Sequence, residues 1–130
     1  MPEGTIFAID DEQDNLTFIS AVISDAGYRA ETSTDGATAL DKMKASPPVL
    51  VFLDVQMPGM NGFQVLEAIR SAEALAGTPV VFLSAIGAVT GEDYDVDTIE
   101  ARYGVRPDGF LPKPIDAERI VAEIRRLLGK

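Results

Sequence analysis

Residues 49–62 read VLVFLDVQMPGMNG. Five apolar residues, Val49 to Leu53, run without a break into a carboxylate, Asp54. An unbroken apolar run is what a parallel strand looks like when helices cover both faces of its sheet, because no position has to alternate toward water. A charge at the end of such a strand is costly to bury unless something offsets it. The stretch therefore marks a central strand and a candidate site at once. Pro58-Gly59 and Asn61-Gly62 signal a turn, and Asn61 is a suitable N-cap for a helix that follows.

Working outward, two more runs have the same character, TIFAI at 5–9 and VVFL at 80–83. YRAET (28–32) and GFLPK (109–113) are weaker strand candidates. Helical spacing falls between the strands. Leu16, Ile19, Ile23 and Ala26 recur after Asp14, with Gly27 as a stop. Ala37, Leu40 and Met43 mark a second helix before Pro47-Pro48. Phe63, Leu66 and Ile69 mark a third. A short fourth helix is expected over about residues 95–104, ending at Gly104. The last helix has Asp116 at its N-cap and an Ile115–Ile120 staple. Its apolar stripe is Ile120, Val121, Ile124, Leu127 and Leu128, and Arg125, Arg126 and Lys130 suit its negative end. Five strand-helix alternations predict an open parallel α/β sheet with right-handed crossovers and helices on both faces. Pro112 lacks a ladder donor, which places the fifth strand at an edge. The flavodoxin-like (βα)5 order 2-1-3-4-5 does so.

The chain has 130 residues, the size of one domain spanning 1–130. It has no Cys and no His, which removes thiol chemistry, the commonest general base and the commonest zinc ligand. Twenty-one acidic residues against 11 basic give a formal charge of -10. Such a surface repels phosphate backbones and anionic lipid, so direct nucleic-acid or membrane partners are not expected. No stretch is long and apolar enough for a membrane span, and the N-terminus lacks a basic leader followed by an apolar core. A cytoplasmic location is the expectation.

In open α/β sheets, sites form at the carboxyl ends of the strands. The first strand ends in Asp10 and Asp11, the third in Asp54, the fourth in Ser84 followed by Ala85, and the fifth in Lys113 between two prolines. The second ends ETST, with nothing distinctive. Three carboxylates converging on one rim cannot all stay ionised without compensation. Mg²⁺ takes oxygen ligands and commonly uses one or two carboxylates with waters and phosphate oxygens. Lys113 supplies a positive point charge. With no His or Cys, a carboxylate is the available nucleophile, and aspartates form acyl phosphates. The set suits Mg²⁺-assisted phosphoryl transfer onto an Asp.

With these residues placed, the chain resembles the receiver domain of two-component response regulators. The resemblance rests on DD after the first strand, LDVQMPGMNGF around the third, FLSA at the fourth and FLPKP at the fifth. It implies a phosphorylation-activated switch rather than a turnover enzyme, one that catalyses its own phosphorylation and slow dephosphorylation. Asp54 is then the acceptor of a phosphoryl group from a sensor histidine kinase or histidine phosphotransfer protein. Asp11 ligates Mg²⁺ together with Asp54 and the backbone carbonyl of Gln56, and Asp10 acts mainly through a metal-bound water. Ser84 and the Ala85 N–H bind phosphoryl oxygens, and Lys113 pairs with another. Phe110 falls at the family's aromatic switch position, coupled to Ser84. The signalling face is built from the fourth helix, the fifth strand and the fifth helix, and it acts on a downstream protein or an output domain absent from this chain. The Lys113-Pro114 bond is implied to be cis.

Two departures stand out. The interval from Ser84 to Lys113 is longer than the family usually shows, with surplus in GEDYDVD and around RYGVRPDG. The positions two beyond the acceptor and the hydroxyl are Gln56 and Ile86, which in the family influence how water reaches the acyl phosphate. Three other functions compete. A Mg²⁺-dependent phosphohydrolase needs a second acid at Gln56. A pseudo-receiver has no need of the intact Asp10, Asp11, Asp54, Ser84 and Lys113 set. An FMN carrier needs a phosphate loop where IDDE stands.

Overall fold

The computed structural model describes residues 4–55, 57, 60–84 and 107–129. In chain order the elements are β1 (Thr5–Ile9), α1 (Gln13–Asp25), β2 (Arg29–Ser33), α2 (Gly36–Ala45), β3 (Leu50–Asp54), α3 (Gly62–Ser71), β4 (Val80–Ser84), β5 (Gly109–Pro112) and α4 (Ala117–Leu128). The five strands form one sheet in the order β2-β1-β3-β4-β5, and every pairing is parallel. The expected order holds, and Pro112 lies on an edge strand. The fourth helix expected over 95–104 lies outside the described residues.

The register explains the unbroken apolar runs. Successive side chains on a strand point to opposite faces, and here each face has its own core. Phe7, Ile9, Val51, Leu53, Val80 and Phe82 pack with Ala39, Leu40 and Met43 of α2 and Val65, Leu66 and Ile69 of α3. Ile6, Ala8, Leu50, Phe52, Val81 and Leu83 pack with Leu16, Ile19 and Ile23 of α1 and Ile120 and Ile124 of α4. Both sets are buried, so neither face can tolerate polar alternation.

Local signals set the helix boundaries. Asn61 caps α3 with a full capping box, its side chain accepting from the Gln64 N–H while the Gln64 side chain accepts from the Asn61 N–H. Asp116 caps α4 by accepting from the Glu118 N–H. Gly27, at φ 95°, turns the chain after α1. Three expectations shift. Ala37 is exposed, and Gly36 and Ala39 take the inward positions of α2. The strand read at 28–32 runs one residue later, because Tyr28 is buried against the α1 side instead of pairing. Lys113 lies just past the end of β5.

A polar clamp secures the start of β5. The Asp108 carboxylate accepts from the Val80 N–H at 2.8 Å and from Arg70 at 2.7 Å. Arg70 also donates to the Thr78 carbonyl at 2.6 Å, and Arg126 of α4 donates to the Asp108 carbonyl at 2.7 Å. The Arg70–Asp108 ion pair is about one-third exposed on each side, so its own contribution is small. The bond to the Val80 N–H weighs more, since a buried strand donor left unmet costs about 1–3 kcal/mol. Asp108→Ala is therefore expected to lower the urea unfolding free energy by about that amount, whereas Asp108→Asn, whose amide oxygen still accepts, loses less than about 1 kcal/mol. Equal losses for the two variants would assign the effect to charge instead.

Candidate functional site

The carboxyl ends of β1, β3, β4 and β5 meet at one rim. Asp10 directly follows β1 and is fully buried. Asp54 closes β3 with 2% of its surface exposed, and Ser84 closes β4 with 1%. Ladder bonds hold these ends in place. The Asp10 N–H donates to the Ser33 carbonyl, the Val55 N–H to the Leu83 carbonyl, and the Lys113 N–H to the Ser84 carbonyl at 2.9 Å. The peptide between Lys113 and Pro114 is cis.

Lys113 joins the two buried acids. Its Nζ lies 3.2 Å from Asp10 Oδ2 and 3.3 Å from Asp54 Oδ1, with only 16% of the side chain exposed. Burial of the ammonium works against its charge. The charges of Asp54 and Asp10, with hydrogen bonds to both, outweigh that penalty, so the Lys113 pKa is raised above its ordinary 10.5. Asp10 is further engaged: Oδ1 accepts from the Glu12 N–H at 2.9 Å, and Oδ2 accepts from Asn15 at 3.2 Å. Asp11 and Glu12 are exposed. Carboxylate oxygens of Asp10, Asp11 and Glu12 lie within 4.8 Å of one another. That is a set of hard oxygen donors, the kind Mg²⁺ takes.

The structure thus brings Asp10, Asp54 and Lys113 into contact, with Asp11 beside Asp10 and Ser84 at the adjoining strand end. Phe110 is half-buried, pairs in register with Phe82, and packs on the α2–α3 side of the sheet. Gln56, Ala85 and Ile86, and the turn at Pro58-Gly59, lie outside the described residues. Sequence reading passed over Glu12, Asn15 and the role of Gly62. The IDDE string showed a third acid, yet nothing in it said that all three carboxylates converge. Gly62 read as a turn residue. In the fold a Cβ on it meets the Asp54 carbonyl oxygen at 2.6 Å and the Val55 Cα at 2.7 Å. Its N–H also donates to the Val55 carbonyl at 2.9 Å. The start of α3 is thereby pressed onto the backbone that carries the acid.

The response regulator receiver domain model matches residues 6–125. The chain belongs to the response regulator receiver domain family. Response regulator Rre1 of Synechocystis is 32% identical over 127 residues, which are 97% of this chain and 52% of that protein. Response regulator PleD of Caulobacter vibrioides is 33% identical over 122 residues, 94% of this chain and 25% of that protein. The chain therefore spans about half the length, or less, of these curated relatives. Among solved structures, the chemotaxis protein CheY4 of Vibrio cholerae superposes with a TM-score of 0.81 at 28% identity, covering 95% of this chain and 97% of its own. The five-stranded parallel sheet in the order 2-1-3-4-5 is the fold of these receivers, and the receiver is the switch module of two-component signalling. Among the described residues, no helix is long and apolar enough to cross a membrane.

Two outcomes follow from this geometry. Lys113→Met leaves two buried carboxylates without their shared ammonium, a loss of roughly 3 kcal/mol at neutral pH, and millimolar Mg²⁺ is expected to restore part of it. A folded-state pKa raised above 10.5 means that the Lys113 contribution is complete below 10.5 and is lost as pH rises through the raised value. Urea unfolding with and without Mg²⁺, across pH, measures both. A wild-type advantage that grows above that range would contradict the assignment. Gly62→Ala forces the Asp54–Val55 backbone to move, with an overpacking loss of about 1–3 kcal/mol. Its backbone amide shifts in NMR spectra should centre on residues 54 and 55 rather than on α3 alone.

Proposed function

We propose that Asp54 is the phosphoacceptor of this receiver and that a phosphohistidine on a sensor kinase or phosphotransfer protein is its donor. One observation carries the reading: a nearly fully buried carboxylate at the end of the central strand shares a lysine ammonium with a second buried acid. A structural ion pair gains little from such burial. A site that must hold charge out of water and then change it has a use for it.

In the proposed step an Asp54 oxygen attacks phosphorus. The new O–P bond forms as the P–N bond to the donor imidazole breaks, and the imidazole leaves with the electron pair and takes up a proton. Mg²⁺, when bound, supplies neutralisation of the negative charge on the transferring oxygens. The residues that would hold it are Asp11, with Asp54 and the Gln56 carbonyl, while Asp10 serves mainly through water. The bonding of Asp10 supports this division. A carboxylate offers about four lone-pair sites, and the Glu12 N–H, Asn15 and Lys113 already use Asp10. The exposed Asp11 has room for a cation. Lys113 steadies one phosphoryl oxygen, and Ser84 with the Ala85 N–H takes others.

The signal then passes by a coupled shift of Ser84 and Phe110 to the face around β5 and the final helix. From there it reaches a downstream protein or an output domain. We place the protein in the cytoplasm, where such kinases present their phosphohistidine. The chain catalyses its own phosphorylation and does not turn over an external substrate.

Incubation with acetyl phosphate and Mg²⁺, followed by intact mass measurement, tests the core of this reading. One added phosphate is expected in the wild-type chain, and none in Asp54→Ala or after chelation with EDTA. An adduct that survives Asp54→Ala would overturn it.

A further inference from the structure

We propose that the open edge of β2 docks a second copy of this chain, the two β2 strands pairing antiparallel about a twofold axis at Ala30. The strand pairs with β1 alone in the described sheet, and it carries no proline. The Arg29 N–H donates to the Gly4 carbonyl, and the Ser33 carbonyl accepts from the Asp10 N–H. Arg29, Glu31 and Ser33 therefore turn their backbone groups toward β1. Alternation along the strand turns those of Ala30 and Thr32 to the outer edge. Such an edge is a template for another strand unless its side chains forbid it. The other edge of the sheet differs, because Pro112 of β5 has no donor to offer.

The charges on the strand select both the occupant and the register. Arg29 and Glu31 are exposed and lie on one face of β2, two residues apart. In an antiparallel pair of identical strands, centring on Arg29 sets arginine opposite arginine, and centring on Glu31 sets glutamate opposite glutamate. Like charges directly opposite are destabilising. Centring on Thr32 brings Glu31 opposite Ser33, with no charge pair within the strand. Centring on Ala30 sets Arg29 of each copy opposite Glu31 of the other, so symmetry makes two complementary pairs from one pattern. In that register the outward-facing Ala30 residues exchange two backbone hydrogen bonds, and the charge pairs fall at the closer positions on either side. Ala30 itself is half-buried against the α1 side of the sheet, so it adds no bulk at the axis. A five-residue edge is small beside a standard interface, and a formal charge of -10 repels a second copy. The dimer is therefore transient, forming in the sub-millimolar range.

Sedimentation velocity of the full chain at about 0.15 M salt, from micromolar to millimolar concentration, reads the association. Arg29→Glu and Glu31→Arg should each weaken it about tenfold, because either change sets like charges opposite at both positions. An equimolar mixture of the two variants should associate at least as well as wild type, since each then meets its complement. The chain carrying both changes should match wild type. Net charge alone predicts otherwise: Glu31→Arg makes an acidic chain less so, and would then associate more strongly. Amide exchange gives a readout that needs no variant. The Ala30 N–H of the wild-type chain should exchange more slowly as the dimer forms, whereas that of Glu31, already turned to β1, should not change. A wild-type chain that stays monomeric at millimolar concentration overturns the proposal. So do single variants that dimerise as wild type does, a mixture that remains monomeric, and Ala30 exchange that is indifferent to dimer formation. None of these outcomes touches the role of Asp54, which the phosphate adduct tests separately.

Discussion

The lysine bridge is the constraint around which the rest of the molecule is arranged. Two carboxylates, Asp10 and Asp54, are almost wholly removed from water, and that is tolerable only with a counter-charge in contact with both. The counter-charge comes from the far edge of the sheet. Lys113 follows β5, its backbone N–H is tied to the end of β4, and its side chain reaches past β4 to acids on β3 and β1. Four strand ends must therefore keep a common register. The strand order places β1 and β3 side by side, with β5 two positions away from β3, within the reach of one lysine.

Two cores hold that register, one on each face. β3 contributes Leu50 and Phe52 to one and Val51 and Leu53 to the other, so neither layer can slide without disturbing both. Position along the sheet is fixed at both of its ends. The Asp108 clamp fixes the start of β5 against β4. At the other pole, Gly62 lets α3 press on the Asp54 backbone. Overpacking at such a contact has no side chain to yield, because the atoms met are main chain.

Much of this was legible in the sequence, and the reason is physical. Continuous apolar runs specify strands covered on both faces, and residues at strand ends specify what the crevice contains. Asp10, Asp54 and Lys113 could be placed together before any coordinates because the order 2-1-3-4-5 brings their strands to one rim. Pro112 located the edge. The clamp was not legible, because Arg70 and Asp108 are 38 residues apart and neither has a spacing that marks it. The role of Gly62 was hidden for a different reason. An Asn-Gly pair reads as a turn, while here the missing Cβ matters for a close approach to another segment. Ala37 misled because helical spacing fixes a face only to within one residue, and Gly36 is small enough to take the inward position.

The same bridge explains how a small chemical change can become a conformational one. In the unphosphorylated chain one ammonium satisfies two acids, each of which needs it. In the proposed reaction an Asp54 oxygen becomes the bridging oxygen of an acyl phosphate and loses most of its negative charge, while charge is gained further out on the phosphoryl group. Lys113 cannot serve the former Asp54 position and the new oxygens equally, so its balance between β3 and β1 must change. Its backbone is bonded to Ser84 and continuous with Phe110 through β5. Under that proposal a shift at the ammonium would pull on β5, an edge strand that pairs with β4 alone in the described sheet. Asp108 and Arg126 anchor the opposite end of that strand, so the proposed movement would be confined to the end that faces the site.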